Sequence, residues 1–299
     1  MRFQIQHRTT YVYSDAVSTS HSEAHLVPRS LPGQACRSSE LVIDPAPADY
    51  RERFDYFGNR TSYFSLHQPH WSLQVSATSI VDVADGAPDP TDPLPGLADV
   101  GPSWQEARRL LRTEPDPELL TARQFTLDSP LVTTSAALAA YARPSFPAGR
   151  PLIQAILDLS RRINSDYAYV PGATTIATRL DEVLDRRQGV CQDFAHLAIG
   201  CLRSMGLPAR YVSGYLETDP PPGRERLLGA DASHAWLSVH VPGHGWLDVD
   251  PTNDQRPSGR HITTAWGRDY SDVTPLKGVV FSPGGHHSLE VAVDVVAVS

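Results

Sequence analysis

The sequence predicts an α+β protein in two parts, an amino-terminal all-β sandwich followed by a larger core that mixes helices with strands. Three observations carry this expectation. Period-two alternation dominates residues 1–83, a run rich in proline, glycine and aspartate interrupts the chain at 84–102, and helical periodicity followed by renewed alternation fills 103–266. A chain of 299 residues is long enough for one large or two moderate cores, and the composition break favours two.

In the first part, Phe3, Ile5, His7, Thr9, Tyr11 and Tyr13 fall on one side of a strand, opposite Gln4, Gln6, Arg8 and Thr10. Leu41-Val42-Ile43, Tyr63-Phe64 and the alternating Leu73, Val75 and Ala77 continue the theme, punctuated by Asp44-Pro45, the Phe57-Gly58-Asn59 turn and Pro69. The segment ADGAPDPTDPLPGLADVGP, 84–102, offers no face to pack and reads as a linker. Leu152, Ile156, Leu159 and Ile163 then recur at helical spacing, as do Leu180, Val183 and Leu184, with Thr178 as N-cap and Gly189 as stop.

A third helix begins at Cys191, with Phe194, Ala198, Cys201, Leu202 and Met205 as its buried stripe and Gly206 as its end. Strands follow over 209–216 and 234–241, joined by an exposed Pro/Gly/Arg-rich loop at 219–229, and a shorter strand covers 245–250. The closing segment, 267–299, carries alternating Leu289, Val291, Val293 and Val295, a strand expected to return to the amino-terminal sheet.

Composition excludes several function classes. A formal net charge of −8 with no dense Lys/Arg run removes the footprint that nucleic acid requires. No apolar stretch approaches the roughly 18–20 residues that span a bilayer, and the alternating amino terminus offers no signal-peptide core, so the expectation is a cytoplasmic protein without a membrane partner. Cys36, Cys191 and Cys201 form no C-x-x-C pair, and the last two would stand about 15 Å apart along one helix, too far to bridge. His240, His244, His261, His286 and His287 match no zinc spacing, so no metal or other cofactor is expected and these side chains are read as solvated or singly hydrogen-bonded.

Chemistry points to Cys191. A thiol at a helix N-terminus beside a histidine has its pKa lowered by the macrodipole and by an imidazolium partner, and free backbone N–H groups there can bind an oxyanion. Gly189-Val190-Cys191-Gln192-Asp193 places the cysteine in a first turn. Asp193 would oppose a thiolate unless it is paired or turned away, and His196, about 140° around the helix, is given a structural role. A base with a carboxylate behind it is needed next. If the strands at 234–241 and 245–250 form a hairpin across Pro242-Gly243-His244-Gly245, His234 lies at the open end with Asp248 or Asp250. Periodicity puts His234, Trp236, Ser238 and His240 on one face and Ala235, Leu237, Val239 and Val241 on the buried one, and leaves the two aspartates undecided.

The ordered motifs GVCQDFAH, GLPARYVSGY, SHAW and GWLDVDPTN resemble the transglutaminase-like superfamily, in particular its bacterial members described as transglutaminase-like or cysteine-protease-like proteins. The amino-terminal β region with its turn at Asp55–Asn59 and the closing GRDYSDVTPLKG at Gly267–Gly278 extend the resemblance over nearly the whole chain. It implies a papain-like core, with a helix bundle packed on an antiparallel sheet, and a catalytic triad of Cys191, His234 and Asp250. It implies amide chemistry on a peptide or protein substrate, as hydrolysis or as transamidation. A binding scaffold that keeps the shape without the chemistry is the rival reading. Tyr169, Gln192, Tyr215 and Trp236, with Tyr167, are candidate substrate-contacting walls, and the segment around Tyr169 is the expected source of a second oxyanion donor.

Overall fold

The structure, a computed structural model, describes residues 1–84, 101–218, 233–257 and 259–298. Almost all of the expected linker and the whole 219–229 loop lie outside the described residues. In chain order the first strands are β1 (Arg2–Val17), β2 (Thr19–Ala24), β3 (Gln34–Asp44), β4 (Asp49–Phe54), β5 (Arg60–Leu66) and β6 (His70–Val83). Helices α1 (Trp104–Thr113), α2 (Pro117–Arg123), α3 (Ala136–Ala142) and α4 (Leu152–Asp166) follow, then strand β7 (Ala168–Tyr169), helix α5 (Leu180–Arg186), strand β8 (Gln188–Gly189) and helix α6 (Cys191–Ser204). Strands β9 (Ala209–Leu216), β10 (Ser233–Val241), β11 (Gly245–Val249) and β12 (His261–Gly267), helix α7 (Tyr270–Val273), and strands β13 (Leu276–Phe281) and β14 (His287–Val298) complete the chain.

The amino-terminal part holds two four-stranded sheets, ordered β14-β1-β6-β3 and β13-β2-β5-β4. The expected return strand is there: β14 runs antiparallel to β1 from Arg2↔Val298 to Tyr13↔His287. A second closing strand, β13, adds to the other sheet from Leu276↔Ala24 to Phe281↔Thr19. Each sheet therefore has an edge built from the last 23 described positions of sequence, and Leu276 packs with Ala24, Leu26, Phe64, Leu66, Leu73, Val75 and Ala77 between them. The alternation read along β1 is the pattern of a strand with one face against that core.

In the core part, α6 is buried along nearly all of its length because it lies between α3, α4 and α5 on one side and the antiparallel sheet β11-β10-β9-β12 on the other. Leu207 and Gly206 end it as expected, the glycine at φ 78°, where a side chain would be strained. Two boundaries differ from expectation. Helix α5 ends at Arg187 in the left-handed region, short of Gly189, and Thr178 accepts the Thr175 N–H in the preceding turn and does not cap α5.

Strand β10 also departs from its pattern. Ala235, Leu237, Val239 and Val241 face the α6 core as expected, yet Trp236, Ser238 and His240 are fully buried as well. The reason is a cationic–aromatic layer on that second face. The Arg210 guanidinium lies 4.1 Å from the Trp246 ring centre and 3.9 Å from that of Trp266, and Arg29 of the sandwich lies 3.6 Å from Trp266 on its own account. His240, expected to be solvated or singly hydrogen-bonded, is enclosed there with its Nε2 2.9 Å from Glu118 Oε1.

Docking of the two parts centres on β12, the edge strand of the core sheet. Its backbone at Thr263 is met by the Gln34 side chain, which donates to Thr263 O at 2.8 Å and accepts from Thr263 N–H at 2.8 Å. Asn59 does the same at Trp266, donating to its carbonyl at 2.8 Å and accepting from its N–H at 2.9 Å. Two amides thus finish an edge that would otherwise expose unpaired backbone groups. Beside them Tyr215 and Ile262 join Phe3, Ile5, Val81, Val83, Val293 and Val295 in one apolar cluster.

Candidate active site

The cysteine is placed by the two-residue parallel pairing of β7 and β8, Ala168↔Gln188 and Tyr169↔Gly189, which delivers the chain to the start of α6. Cys191 is the first helical residue and is partly exposed. Asp193, two positions on, is buried and paired: its Oδ2 accepts the Val190 N–H at 2.8 Å and the Thr174 hydroxyl at 2.6 Å. The carboxylate thereby caps the helix from within and is held off the thiol. Gly189 makes room for it, because a Cβ there would lie 2.7 Å from Asp193 Oδ2 and 2.8 Å from its Cβ.

His234 sits near the start of β10, opposite Gly214 of β9. A side chain at Gly214 would collide with the Ile262 carbonyl and would come 2.5 Å from Trp236 Cη2, so only glycine allows the close packing behind His234. The β10–β11 hairpin forms with the expected pairing, from Leu237↔Val249 to Val241↔Gly245. Just beyond it, Asp250 opens a turn closed by mutual backbone hydrogen bonds with Gln255.

Of the two aspartates left open by periodicity, Asp250 meets the histidine: Nε2 of His234 donates to Asp250 Oδ2 at 2.8 Å. Asp248 is instead 3.4 Å from the Trp236 indole nitrogen. The Asp250 side chain is wholly buried and richly satisfied. Its Oδ1 accepts the Thr252 N–H at 2.9 Å and the Asn253 N–H at 3.3 Å, and its Oδ2 also receives Asn253 Nδ2 at 2.8 Å and His261 Nε2 at 3.3 Å.

The electrostatics follow from these contacts. Burial disfavours the charged imidazolium of His234, but the hydrogen bond to Asp250, that carboxylate's charge and the influence of Cys191 outweigh it and raise its pKa to about 10. Burial likewise opposes ionisation of Asp250, and the donors from His234, His261 and Asn253 overcome it, holding the carboxyl well below its usual range. Both shifts favour the same charge state, an imidazolium on a carboxylate. His196 behaves differently: burial lowers it to about 4, its Nε2 accepts the Tyr270 N–H at 3.1 Å, and it packs on Tyr211 as a structural side chain. Burial pushes the Cys201 thiol up to about 12, consistent with an inert core residue.

The expected walls divide. Tyr169 is exposed and stands edge-on to Phe194, and Gln192 is partly exposed beside Cys191. Tyr215 and Trp236 are corrected. Tyr215 is 2% exposed and its hydroxyl is 3.0 Å from Nδ1 of His7, because the sandwich docks over it. Trp236 is enclosed behind the site, its ring 6.0 Å from that of His234 and 5.3 Å from that of His261. Tyr167 is buried too, edge-on to Tyr141 and Phe194.

Tyr270 of the GRDY motif stands edge-on to Tyr211, and burial raises the pKa of its phenol to about 12. One residue of the site was not anticipated. His261, expected to be solvated or singly hydrogen-bonded, is 5% exposed and bound to Asp250. His234, Asp250 and His261 bring donor atoms within 4.8 Å of one another, an approach explained by two imidazoles sharing one carboxylate oxygen. Among the described residues no other group of three or more His, Cys, Asp or Glu side chains converges in this way.

Comparison with known proteins places these features in a family. Residues 3–82 match the bacterial transglutaminase-like N-terminal region, and residues 140–251 match the transglutaminase-like superfamily core. An uncharacterized protein of Mycobacterium tuberculosis is 46% identical over 305 aligned positions, covering 99% of this chain and 92% of that protein. An uncharacterized protein of Mycobacterium leprae is 34% identical, covering 98% of both. A protein-glutamine gamma-glutamyltransferase of Pseudomonas aeruginosa is 34% identical over 122 positions, 40% of this chain and 18% of that one. In fold, the chain superimposes with a TM-score of 0.73 on the crystal structure of a proposed cysteine protease from Cytophaga hutchinsonii, at 22% identity, covering 100% of this chain and 91% of the other.

Proposed function

The chain belongs to the bacterial transglutaminase-like superfamily, and from that premise we propose that it is a cysteine-dependent amide hydrolase acting on peptides through Cys191, His234 and Asp250. The observation that carries the reading is the bond from His234 Nε2 to Asp250 Oδ2 at 2.8 Å, in a ring whose raised pKa also reflects the influence of Cys191 at the first turn of α6. With Nε2 committed to Asp250, Nδ1 is the nitrogen left for the sulfur.

The geometry supports the following sequence. Thiolate sulfur attacks the amide carbonyl, forming a C–S bond while the negative charge moves to oxygen, where the unpaired N–H groups of the first turn of α6 can receive it. The imidazolium gives its proton to the departing amine, the C–N bond breaks and a thioester remains. The neutral ring then takes a proton from water, whose oxygen attacks the thioester, and returns that proton to sulfur as the acid leaves. Asp250, fixed by its turn, keeps the ring aimed and stabilises its positive form. Gln192 and Tyr169, on the exposed side of the thiol, are the proposed substrate contacts.

A second reading, transamidation, is favoured by the similarity to a protein named as a glutamyltransferase. There an amine replaces water in the second half-reaction. Incubating the protein with peptide libraries, with and without a labelled primary amine, separates the two. Hydrolysis products that form regardless of the amine are expected; incorporation of the amine without any hydrolysis would overturn the hydrolytic version.

A further inference from the structure

We propose that His261 is a positioning residue of this site, donating from its Nε2–H to Asp250 Oδ2 and thereby setting both the aim of that carboxylate and the share of its charge that reaches His234. The inference rests on the functional reading above.

The argument begins with the donors to Asp250. Thr252 and Asn253 belong to the same turn as the carboxylate and move with it. Besides His234 itself, His261 is the described donor to that carboxylate that comes from another element, the first residue of β12, where it pairs with Leu216 of β9. Strand β12 is in turn clamped at Thr263 by Gln34 and at Trp266 by Asn59. His261 therefore ties the Asp250 turn to the edge of the core sheet that Gln34 and Asn59 hold.

Its ring is closely packed. It stands edge-on to Trp236 at 5.3 Å and 84°, and lies 5.9 Å from the His234 ring. An ionised carboxylate can only accept, so both rings must carry hydrogen on Nε2. Two N–H donors on one oxygen compete for its charge: without His261, Oδ2 would bind the His234 imidazolium more tightly and with less constraint on direction. Other titratable or charged groups near this pair among the described residues are Cys191 from α6, Asp248 of β11 behind Trp236, and the Arg260–Glu217 ion pair beside His261.

The pH dependence of Cys191 alkylation by iodoacetamide tests this without a known substrate, with Cys36 of the same molecule as reference and mass spectrometry as readout. In the wild type, Cys191 should react faster than Cys36 near neutral pH, and His234→Ala should abolish that advantage. His261→Phe keeps an aromatic ring but no donor; the upper step of its profile, set by loss of the His234 proton, should move up by about half a pH unit, roughly a threefold change in the equilibrium. His261→Gln, which can still donate, should follow the wild type. A merely structural role would lower thermal stability in both variants and leave the profile in place.

A folded His261→Phe whose profile overlays the wild type overturns the inference and leaves Cys191 as nucleophile. If that variant does not fold, His261→Asn, whose shorter amide cannot reach Oδ2, decides by the same shift or its absence. If wild-type Cys191 reacts no faster than Cys36 and His234→Ala changes nothing, the functional reading fails and this inference falls with it.

Discussion

At the scale of single residues, the site is an ion pair kept in a buried place by hydrogen bonds. Replacing Cys191 by Ser removes the proposed nucleophile and little else, because the thiol is partly exposed; amide turnover should vanish while stability stays within about 0.5 kcal/mol, read by urea unfolding. Asp250→Asn is a different case. It sets an amide donor or a weaker acceptor against two imidazole N–H groups, and turnover should fall by roughly 10²–10⁴-fold with about 1–3 kcal/mol of stability lost. The pH dependence has a definite sign. His234 is raised from 6.5 to about 10, so its contribution to stability is complete below pH 6.5 and disappears as pH rises through about 10. Asp250 is lowered, so its contribution is present above its ordinary range and is lost as pH falls toward its depressed folded value. Melting temperatures between pH 7 and 10.5 should therefore fall less steeply in His234→Gln than in the wild type.

At the scale of elements, two glycines set where the chemistry sits. The β8–α6 junction accepts no side chain at position 189 because the Asp193 carboxylate fills that space while capping the helix. Gly189→Ala should therefore displace the first turn of α6, costing about 1–3 kcal/mol and slowing Cys191 alkylation, since overpacking beside a rigid helix start has no soft neighbour to absorb it. Gly214 plays the matching part beneath His234, where a Cβ would strike both the Ile262 backbone and the Trp236 ring. Here the cost to folding should exceed that at 189. Thermal unfolding of the two variants, run side by side, checks the order.

At the scale of the whole molecule, the sandwich and the core are fastened through β12, and the sandwich itself is closed by the far end of the chain. Asn59 explains the turn at Asp55–Asn59: Asp55 accepts the Asn59 N–H at 2.7 Å and its side-chain amide at 2.7 Å, which presents the amide to Trp266. Asn59→Ala leaves two backbone groups of an edge strand without partners, and a loss of about 2–4 kcal/mol is expected in chemical unfolding. Deleting residues 276–299 strips the outer strand from both sheets and exposes β1 and β2 as long edges, so the truncated protein should aggregate at concentrations where the full chain is monodisperse by light scattering.

The alternation of β1, the apolar stripe of α6, the hairpin at Gly243 and the helix start at Cys191 were legible in the sequence, because each depends on side chains a few positions apart meeting one environment. Choosing Asp250 over Asp248 by residues alone was not possible, since both point to the same side of one strand and only the turn after β11 distinguishes them. Tyr215 and Trp236 looked like walls of a cleft until the docked sandwich covered one and the rings of His234 and His261 closed over the other. His261 was one histidine among several read as solvated or singly hydrogen-bonded; no local pattern names Asp250 as its partner, which is met only when β12 folds beside the turn after β11. Local periodicity thus settled which elements form and where the thiol stands, whereas burial and partnership on the second face of the core sheet were decided only when a separate β sandwich, closed by the chain's own last strands, came to rest against it.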